Sequence, residues 1–401
     1  MATIEAKKKL LGGVIDSINK NAKKTVVGFA DNEVISKKLE IVYIPNISLS
    51  LNELYGGLPR GKTTLISGNE DSGKTSFLLE IIGTQMKLDP NFVALWVESE
   101  ESITQEHLKL FNIDKSRFVF FNHEREGAAE DLLDRVEAAI ATGAIDMCCI
   151  NSLKCLVPAE EFKKQMGEHT IGLQARMNSK LMRKYTSLVA ENDTVFAIVT
   201  HLTTQIGGMM MRDPLTTAGG RAIRYAAMLH LEFRKNSIAP EDPITKEEGM
   251  KISVTCKKNH CNPSKNVYGK AQYFVIYGEG TETILEVMEA CVSKGILVKS
   301  GAFIKEIDST GNVREEDGVK YQWQGKAAFR NYCKENPEYF NYLLSKVDGS
   351  FVETLTEEEI EQIKQEEAEI KQAVGAEMDD IIAEANKKQE DKKTKSKKKD
   401  K

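Results

Sequence analysis

The sequence predicts an α/β fold with a mostly parallel central sheet, on three observations. Short, continuously apolar runs, at Thr64–Ile66, Val93–Val97, Met147–Ile150 and Thr194–Val199, alternate with longer amphipathic stretches between about Ile41 and Tyr277. Strands that are apolar at successive positions need cover on both faces, and crossover helices supply it. Between the first of these strands and a helical stretch through Phe77, Leu78 and Ile81 lies a turn with glycines at both ends, Gly68-Asn69-Glu70-Asp71-Ser72-Gly73-Lys74-Thr75.

The 401 residues leave room for two to three domains of about 100–200 residues each. Residues 1–40 read as an N-terminal oligomerisation helix and linker. Leu10, Leu11, Val14, Ile15 and Ile18 recur at helical spacing within Ile4–Lys20, and the extended-looking Thr25-Val26-Val27 follows. So short a piece cannot bury its own apolar face, so it must dock on this chain or on a neighbour. Residues 41–279 form the α/β core. Residues 280–350 form a small C-terminal α/β domain ending in helices around Lys326–Cys333 and Glu338–Val347. Residues 351–401 are a tail, acidic over Glu357–Glu384 and then Lys-rich, of a composition that favours disorder.

Composition narrows the class. Apolar residues at 41% and charged residues at 29% exclude a wholly disordered or fibrous chain. No stretch reaches the roughly 18–20 apolar residues of a membrane span. The start, MATIEAKKKLLGG, lacks a secretory leader's apolar core, so the expected location is the cytoplasm. Seven cysteines, an odd number, fit reduced thiols better than a disulfide framework. Cys256 and Cys261 flank His260, but no second pair completes a metal site. A net charge of −5 argues against a uniformly basic coat for nucleic acid. That charge is an average, however: nine lysines between Lys387 and Lys401 follow the acidic stretch.

The turn carries the chemistry. Its GxxxxGK[ST] spacing arises by chance in roughly one chain of this length in a hundred. Glycines let backbone amides wrap phosphates, and the helix that begins at the turn directs its positive end at them. Lys74 reaches the β- and γ-phosphates, the Thr75 hydroxyl ligates Mg²⁺, and Ser76 completes the helix start. This is a nucleoside triphosphate site. Strand Met147–Ile150 ends at Asn151, where such proteins usually place a carboxylate that holds the metal's water shell; an amide can accept from that water but brings no charge. Carboxylates do cluster at the end of Val93–Val97, in Glu98-Ser99-Glu100-Glu101, where one could orient or deprotonate the attacking water. His201 ends another strand before the long Thr203–Gly220 segment, with four glycines and three successive methionines. Such a residue can contact the γ-phosphate and pass its presence to that segment.

Further motifs occur in a consistent order: Ser48-Leu49-Ser50-Leu51, Gly56-Gly57-Leu58-Pro59-Arg60-Gly61, Met166-Gly167, Gly172-Leu173-Gln174-Ala175-Arg176-Met177, Met182-Arg183-Lys184, Thr216-Thr217-Ala218-Gly219-Gly220-Arg221-Ala222, Tyr277-Gly278-Glu279-Gly280 and Gly325-Lys326-Ala327-Ala328. With the phosphate loop, they make residues 45–347 resemble a RecA-type recombinase, and the divergences resemble a phage-encoded member, which would work in the host cytoplasm. The resemblance implies a RecA-like P-loop ATPase core using ATP and Mg²⁺. It implies filaments on single-stranded DNA, pairing with homologous duplex, and a single-strand-binding protein or loader as a further partner. Glu100 matches the water-activating glutamate, and His201 replaces the γ-phosphate-sensing glutamine. Glu160–Gly172 and Leu202–Gly220 correspond to two DNA-binding loops. Lys258 and His260 fall where two lysines reach ATP across the filament interface, and Thr104 and His107 fall where an aspartate and a tyrosine contact adenine. Within the loops, Ile206, Met209, Met210 and Met211 offer apolar wedges between bases, beside Met166, Gly167, Gly207, Gly219 and Gly220. Lys163, Lys164, Arg176 and Arg212 offer phosphate contacts. Two other readings are compatible with these motifs: a hexameric helicase-like ATPase on the same core, and a nucleotide-gated DNA-binding accessory protein that hydrolyses poorly, suggested by Asn151.

Overall fold

Helix α1 (Ile4–Ala22) opens the chain, and none of its residues is buried. The computed structural model describes residues 3–22, 25–122, 128–165, 172–204, 215–217, 220–236, 249–265, 267–308, 311–316 and 318–347. The described residues fall in a single unit of the chain. Leu10, Leu11, Val14 and Ile18 of α1 stand 43–75% exposed. The expected extended run at Thr25–Val27 pairs with no strand. Asn19 holds it instead, donating to the Val27 carbonyl and accepting from the Val26 and Val27 amides.

Helix α2 (Glu33–Leu39) starts at Asn32, whose side chain accepts the Val34 and Ile35 amides. Strand β1 (Tyr43–Ile44), helix α3 (Leu49–Tyr55) and strand β2 (Leu58–Pro59) follow, with β1 and β2 paired antiparallel. The central alternation then runs β3 (Thr63–Gly68), α4 (Lys74–Leu88), β4 (Ala94–Glu98), α5 (Gln105–Leu110), β5 (Phe118–Asn122), α6 (Ala129–Ile140), β6 (Met147–Asn151), α7 (Ala159–Phe162), α8 (Leu173–Glu191) and β7 (Val195–Thr204). It continues through β8 (Leu215–Thr217), α9 (Arg221–Ala226), β9 (Leu229–Lys235), β10 (Gly249–Asn259), β11 (Lys270–Ile276) and β12 (Gly280–Thr281).

These strands form one sheet in the order β12-β11-β10-β9-β3-β7-β6-β4-β5. From β9 to β5 every neighbouring pair is parallel, and β10, β11 and β12 add an antiparallel flank. The fold is therefore the α/β class that the apolar runs predict. Side chains of β3 alternate between faces. Ile66 joins Phe77, Leu78, Ile81 and Trp96 on one side. Leu65 joins Val97, Val136, Ile150, Tyr185 and Ile198 on the other. Each fully buried side chain of this size contributes about 1.5–3 kcal/mol, which anchors β3 and the loop after it in the middle of the sheet.

Residues 284–347 build a second arrangement: α10 (Ile284–Ser293), β13 (Leu297–Ser300), β14 (Phe303–Glu306), β15 (Glu315–Glu316), β16 (Val319–Lys320), β17 (Gln322–Gln324), α11 (Gly325–Glu335) and α12 (Pro337–Val347). It has its own apolar cluster around Val287, Leu297, Trp323, Phe329 and Leu343. Glu306 is buried within it and accepts from Arg314, Tyr339 and Tyr342.

A buried carboxylate of this region reaches into the core. Glu286 of α10 accepts from the Ser48 hydroxyl (2.9 Å), the Leu49 amide (2.9 Å) and the Ser50 hydroxyl (3.2 Å) at the start of α3. Burial outweighs these hydrogen bonds and pushes its carboxyl up to about 7. A raised carboxyl stabilises the folded chain below its ordinary value of 4.5, and that stability is lost as pH rises through about 7. The expected outcome is that the natural chain loses up to about 3 kcal/mol relative to Glu286→Gln between pH 5 and 8. Thermal unfolding of both across that window checks it; a constant difference contradicts it.

Candidate functional site

The C-terminal ends of the parallel strands share one edge of the sheet, where ligands of such folds bind. Here β3 ends at Gly68 and α4 starts at Lys74, so the α4 amides face the intervening loop. Two positions of this loop require glycine. A Cβ on Gly68 would lie 2.6 Å from both the Phe233 carbonyl oxygen and Ser72 Oγ. Gly73 has φ +82°, and a Cβ there would meet Ile252 Cδ1 at 2.4 Å. Lys74 is only 6% exposed. Its Nζ donates to the Asn69 carbonyl (2.6 Å) and to Ser72 Oγ (3.3 Å), so the loop is folded around its own cation. Burial lowers the Lys74 pKa, with Glu100, Asp71 and Glu70 pulling against it.

This loop, from Glu70 through Ser76, walls a cleft of about 470 Å³. Glu100, His107 and His201 face it from the core. Strand register explains the meeting of distant residues: His201 on β7 lies beside Gly68 on β3, and Glu100 follows β4 by two residues. His201 Nε2 donates to Glu100 Oε1 at 2.7 Å. Burial opposes the Glu100 charge, but hydrogen bonds from Ser152 and His201 and the charges of His201 and Lys74 outweigh it, holding the carboxyl below the usual glutamate range. Glu100 is thus kept as a proton acceptor 2.7 Å from a ring that belongs to another strand.

Asn151 is fully buried at the end of β6. Its Nδ2 donates to Glu98 Oε2 and to Ser102 Oγ, both at 3.2 Å, and its Oδ1 has no partner among the described residues. Thr104 and His107 are committed to each other: Thr104 Oγ1 accepts the His107 amide, and His107 Nδ1 accepts the Thr104 amide, a reciprocal cap on α5. His107 still lines the cleft, whereas Thr104 does not.

Lys258 and His260 lie at the opposite edge of the sheet. Lys258 pairs with His230, beside the start of β9, whereas Gly68 pairs with Phe233 near that strand's end. The separation along the strands is about 10 Å or more at ~3.3 Å per residue. Lys258 Nζ donates to the Arg224 and Tyr225 carbonyls. Within one chain neither residue reaches the phosphate loop.

Of the expected DNA-facing residues, Lys163, Lys164 and Arg176 are exposed near the ends of α7 and the start of α8, and Gly220 packs beside Ala175 of α8. Met166, Gly167, Ile206, Gly207, Met209, Met210, Met211, Arg212 and Gly219 lie outside the described residues, as does the tail from residue 348. The base of the second segment is not a plain loop: Leu202–Thr204 pair antiparallel with Leu215–Thr217, where four β-branched threonines favour a pleated ribbon. β7 therefore runs unbroken from the cleft, at His201, into this hairpin.

Four residues of the cleft wall escape a reading of motifs: Ser102, Lys235, Met250 and Tyr277. They come from the β4–α5 turn, the antiparallel flank and its exit, and only sheet order brings them together. Tyr277 is 54% exposed and lines the cleft. A signal for it existed in the Tyr277-Gly278-Glu279-Gly280 run.

A phosphate-binding loop in the centre of a parallel sheet, with a carboxylate and a histidine from other strand ends facing it, defines a P-loop nucleotide-binding protein. Comparison with known proteins narrows the class. The family model for the RecA N-terminal domain matches residues 9–282, and the chain belongs to the RecA family. It is 29% identical over 365 residues to Protein RecA of Aquifex aeolicus, covering 89% of this chain and 98% of that one. It is 28% identical over 343 residues to Protein RecA of Thermus aquaticus, covering 86% and 94%. Among the described residues, no helix is long and apolar enough to cross a membrane, and no group of His, Cys, Asp or Glu side chains could hold a metal ion by itself.

Proposed function

We propose that this protein is a DNA-dependent ATPase that forms helical filaments on single-stranded DNA and pairs it with homologous duplex in recombination and repair. The observation that carries the reading is the His201–Glu100 contact. It joins the catalytic carboxylate to a strand that becomes the hairpin carrying the second DNA segment. ATP in the cleft competes for His201, the displaced ring shifts β7, and the hairpin takes its DNA-binding position. DNA bound there acts in reverse, releasing Glu100 to work.

The phosphate loop holds ATP through backbone amides and Lys74, and Tyr277 gives its ring face to the base. Glu100 accepts the proton of the attacking water, and Lys74 neutralises charge that develops on the phosphates. The donor set suits Mg²⁺: the Thr75 hydroxyl opens α4, and Asn151 keeps a buried amide oxygen without a donor among the described residues. Thr75 and, by way of a water, Asn151 would hold Mg²⁺, which would supply positive charge against the phosphates when bound. Lys258 and His260, unable to act within their own subunit, reach the ATP of the next subunit. Helix α1, unburied along its length, docks on a neighbour, and β5 leaves Val119 and Phe120 exposed at the open edge of the sheet.

Electron microscopy with ATP and single-stranded DNA tests this reading against the ring-forming helicase on the same core. Open helical filaments are expected; closed six-membered rings would favour the helicase.

A further inference from the structure

Asn151 places an amide where charge is expected, and the charge lies one strand away. Glu98 on β4 pairs in register with Asn151 on β6 and is only 1% exposed. Its carboxylate is surrounded by donors. Oε1 accepts from the Glu100 amide (2.9 Å), the Ser102 amide (3.3 Å) and Ser102 Oγ (3.3 Å). Oε2 accepts from Trp96 Nε1 (2.9 Å) and Asn151 Nδ2 (3.2 Å). Backbone and indole N–H groups can only donate, so the carboxylate can only accept at these positions.

That fixes Asn151. One amide hydrogen goes to Glu98 and the other to Ser102 Oγ, whose own O–H donates to Glu98. Turning the amide over would set its oxygen against the Glu98 carboxylate, which has no hydrogen to give, and would cost Glu98 the donor it has now. Oδ1 is therefore the remaining acceptor, buried and without a donor among the described residues. A buried acceptor left unpaired costs about 1–3 kcal/mol, and such a group in a native fold calls for a water or ion that the site is built to receive.

We propose that Glu98 is a positioning residue for the metal, holding Asn151 in the orientation that presents Oδ1 to a water of the nucleotide's Mg²⁺. Glu98 supplies the negative charge that Asn151 lacks, from one strand away and through the amide. This rests on the nucleotide-site reading above. Glu98→Gln reverses the arrangement. The new carboxamide keeps its oxygen toward the Glu100 and Ser102 amides, two backbone donors against the single indole N–H of Trp96 on the other side, so its NH₂ faces Asn151. Asn151 then turns its oxygen back to accept from that NH₂, and points hydrogens at the metal's water.

The test uses the full chain with ADP as the nucleotide and Mn²⁺ as the metal probe. ADP affinity is measured in EDTA, and Mn²⁺ affinity of the ADP complex by the electron paramagnetic resonance of free Mn²⁺. Glu98→Gln is expected to weaken Mn²⁺ binding by about 10- to 100-fold, the usual effect of losing such a support, with ADP affinity in EDTA unchanged. In an Asn151→Asp background the sign reverses. There Glu98 and the introduced carboxylate repel, so Glu98→Gln holds or strengthens Mn²⁺ binding. Ser102→Ala, a milder probe that loses one amide partner, weakens Mn²⁺ binding only in the natural background. Unaltered Mn²⁺ affinity in Glu98→Gln, or the same loss in both backgrounds, overturns the proposal. Failure of the natural chain to bind ADP in EDTA overturns the nucleotide site itself, and this inference with it.

Discussion

Replacing Glu100 with glutamine leaves ATP bound and stops its hydrolysis. Glutamine matches the side chain in size and can still meet His201 Nε2, which lies 2.7 Å from the carboxylate. It cannot take a proton from water. The field that holds Glu100 below the usual glutamate range then has no carboxylate to act on. Loss of a positioned general base lowers turnover by about 10²–10⁴-fold, while Lys74 and the loop amides still grip the phosphates. Phosphate release with single-stranded DNA present, alongside equilibrium ATP binding, checks both halves. The same assay addresses Asn151. If the natural chain and Glu100→Gln turn over at equal, near-zero rates while Asn151→Asp is faster, the protein is a nucleotide-gated accessory, and the catalytic reading fails.

Charging the apolar face of α1 dissolves the assembly without unfolding the subunit. Leu11 and Val14 are 51% and 56% exposed, so Leu11→Asp with Val14→Asp takes no buried side chain from the isolated chain. In a filament the same side chains would be buried, each contributing about 1.5–3 kcal/mol, and an unpaired buried aspartate costs several more. Sedimentation is expected to show subunits in place of filaments, with an unchanged melting temperature. ATP hydrolysis is expected to fall as well if, as proposed, Lys258 and His260, which sit at the edge of the sheet away from their own phosphate loop, act on a neighbour. Filaments of undiminished length would show that α1 has no part in assembly.

What the sequence discloses here follows from where the signal is local. β3, β4, β6 and β7 are apolar at successive positions because they are covered on both faces, and they stand out as runs. The phosphate loop is legible because its spacing is set by phosphate geometry within eight residues. The α1 stripe is legible because helical periodicity needs only one face. Other features depend on register. The pairing of Glu98 with Asn151 joins residues 53 apart, and Lys235, Met250 and Tyr277 meet at the cleft only through the antiparallel flank. Thr203–Gly220 reads as a loop because of its four glycines and three successive methionines, whereas its ends pair, Leu202–Thr204 with Leu215–Thr217. Net charge misleads as an average: Lys163, Lys164 and Arg176 are exposed close together along the chain, at the segment proposed to meet DNA, while acids collect elsewhere.

In the proposed mechanism, DNA and the nucleotide cleft act on each other. ATP hydrolysis measured with and without single-stranded DNA, across a salt titration, tests it most directly. Hydrolysis is expected to rise when single-stranded DNA is added, with the stimulation fading as salt weakens phosphate contacts. A rate unchanged by single-stranded DNA at every salt concentration would contradict it.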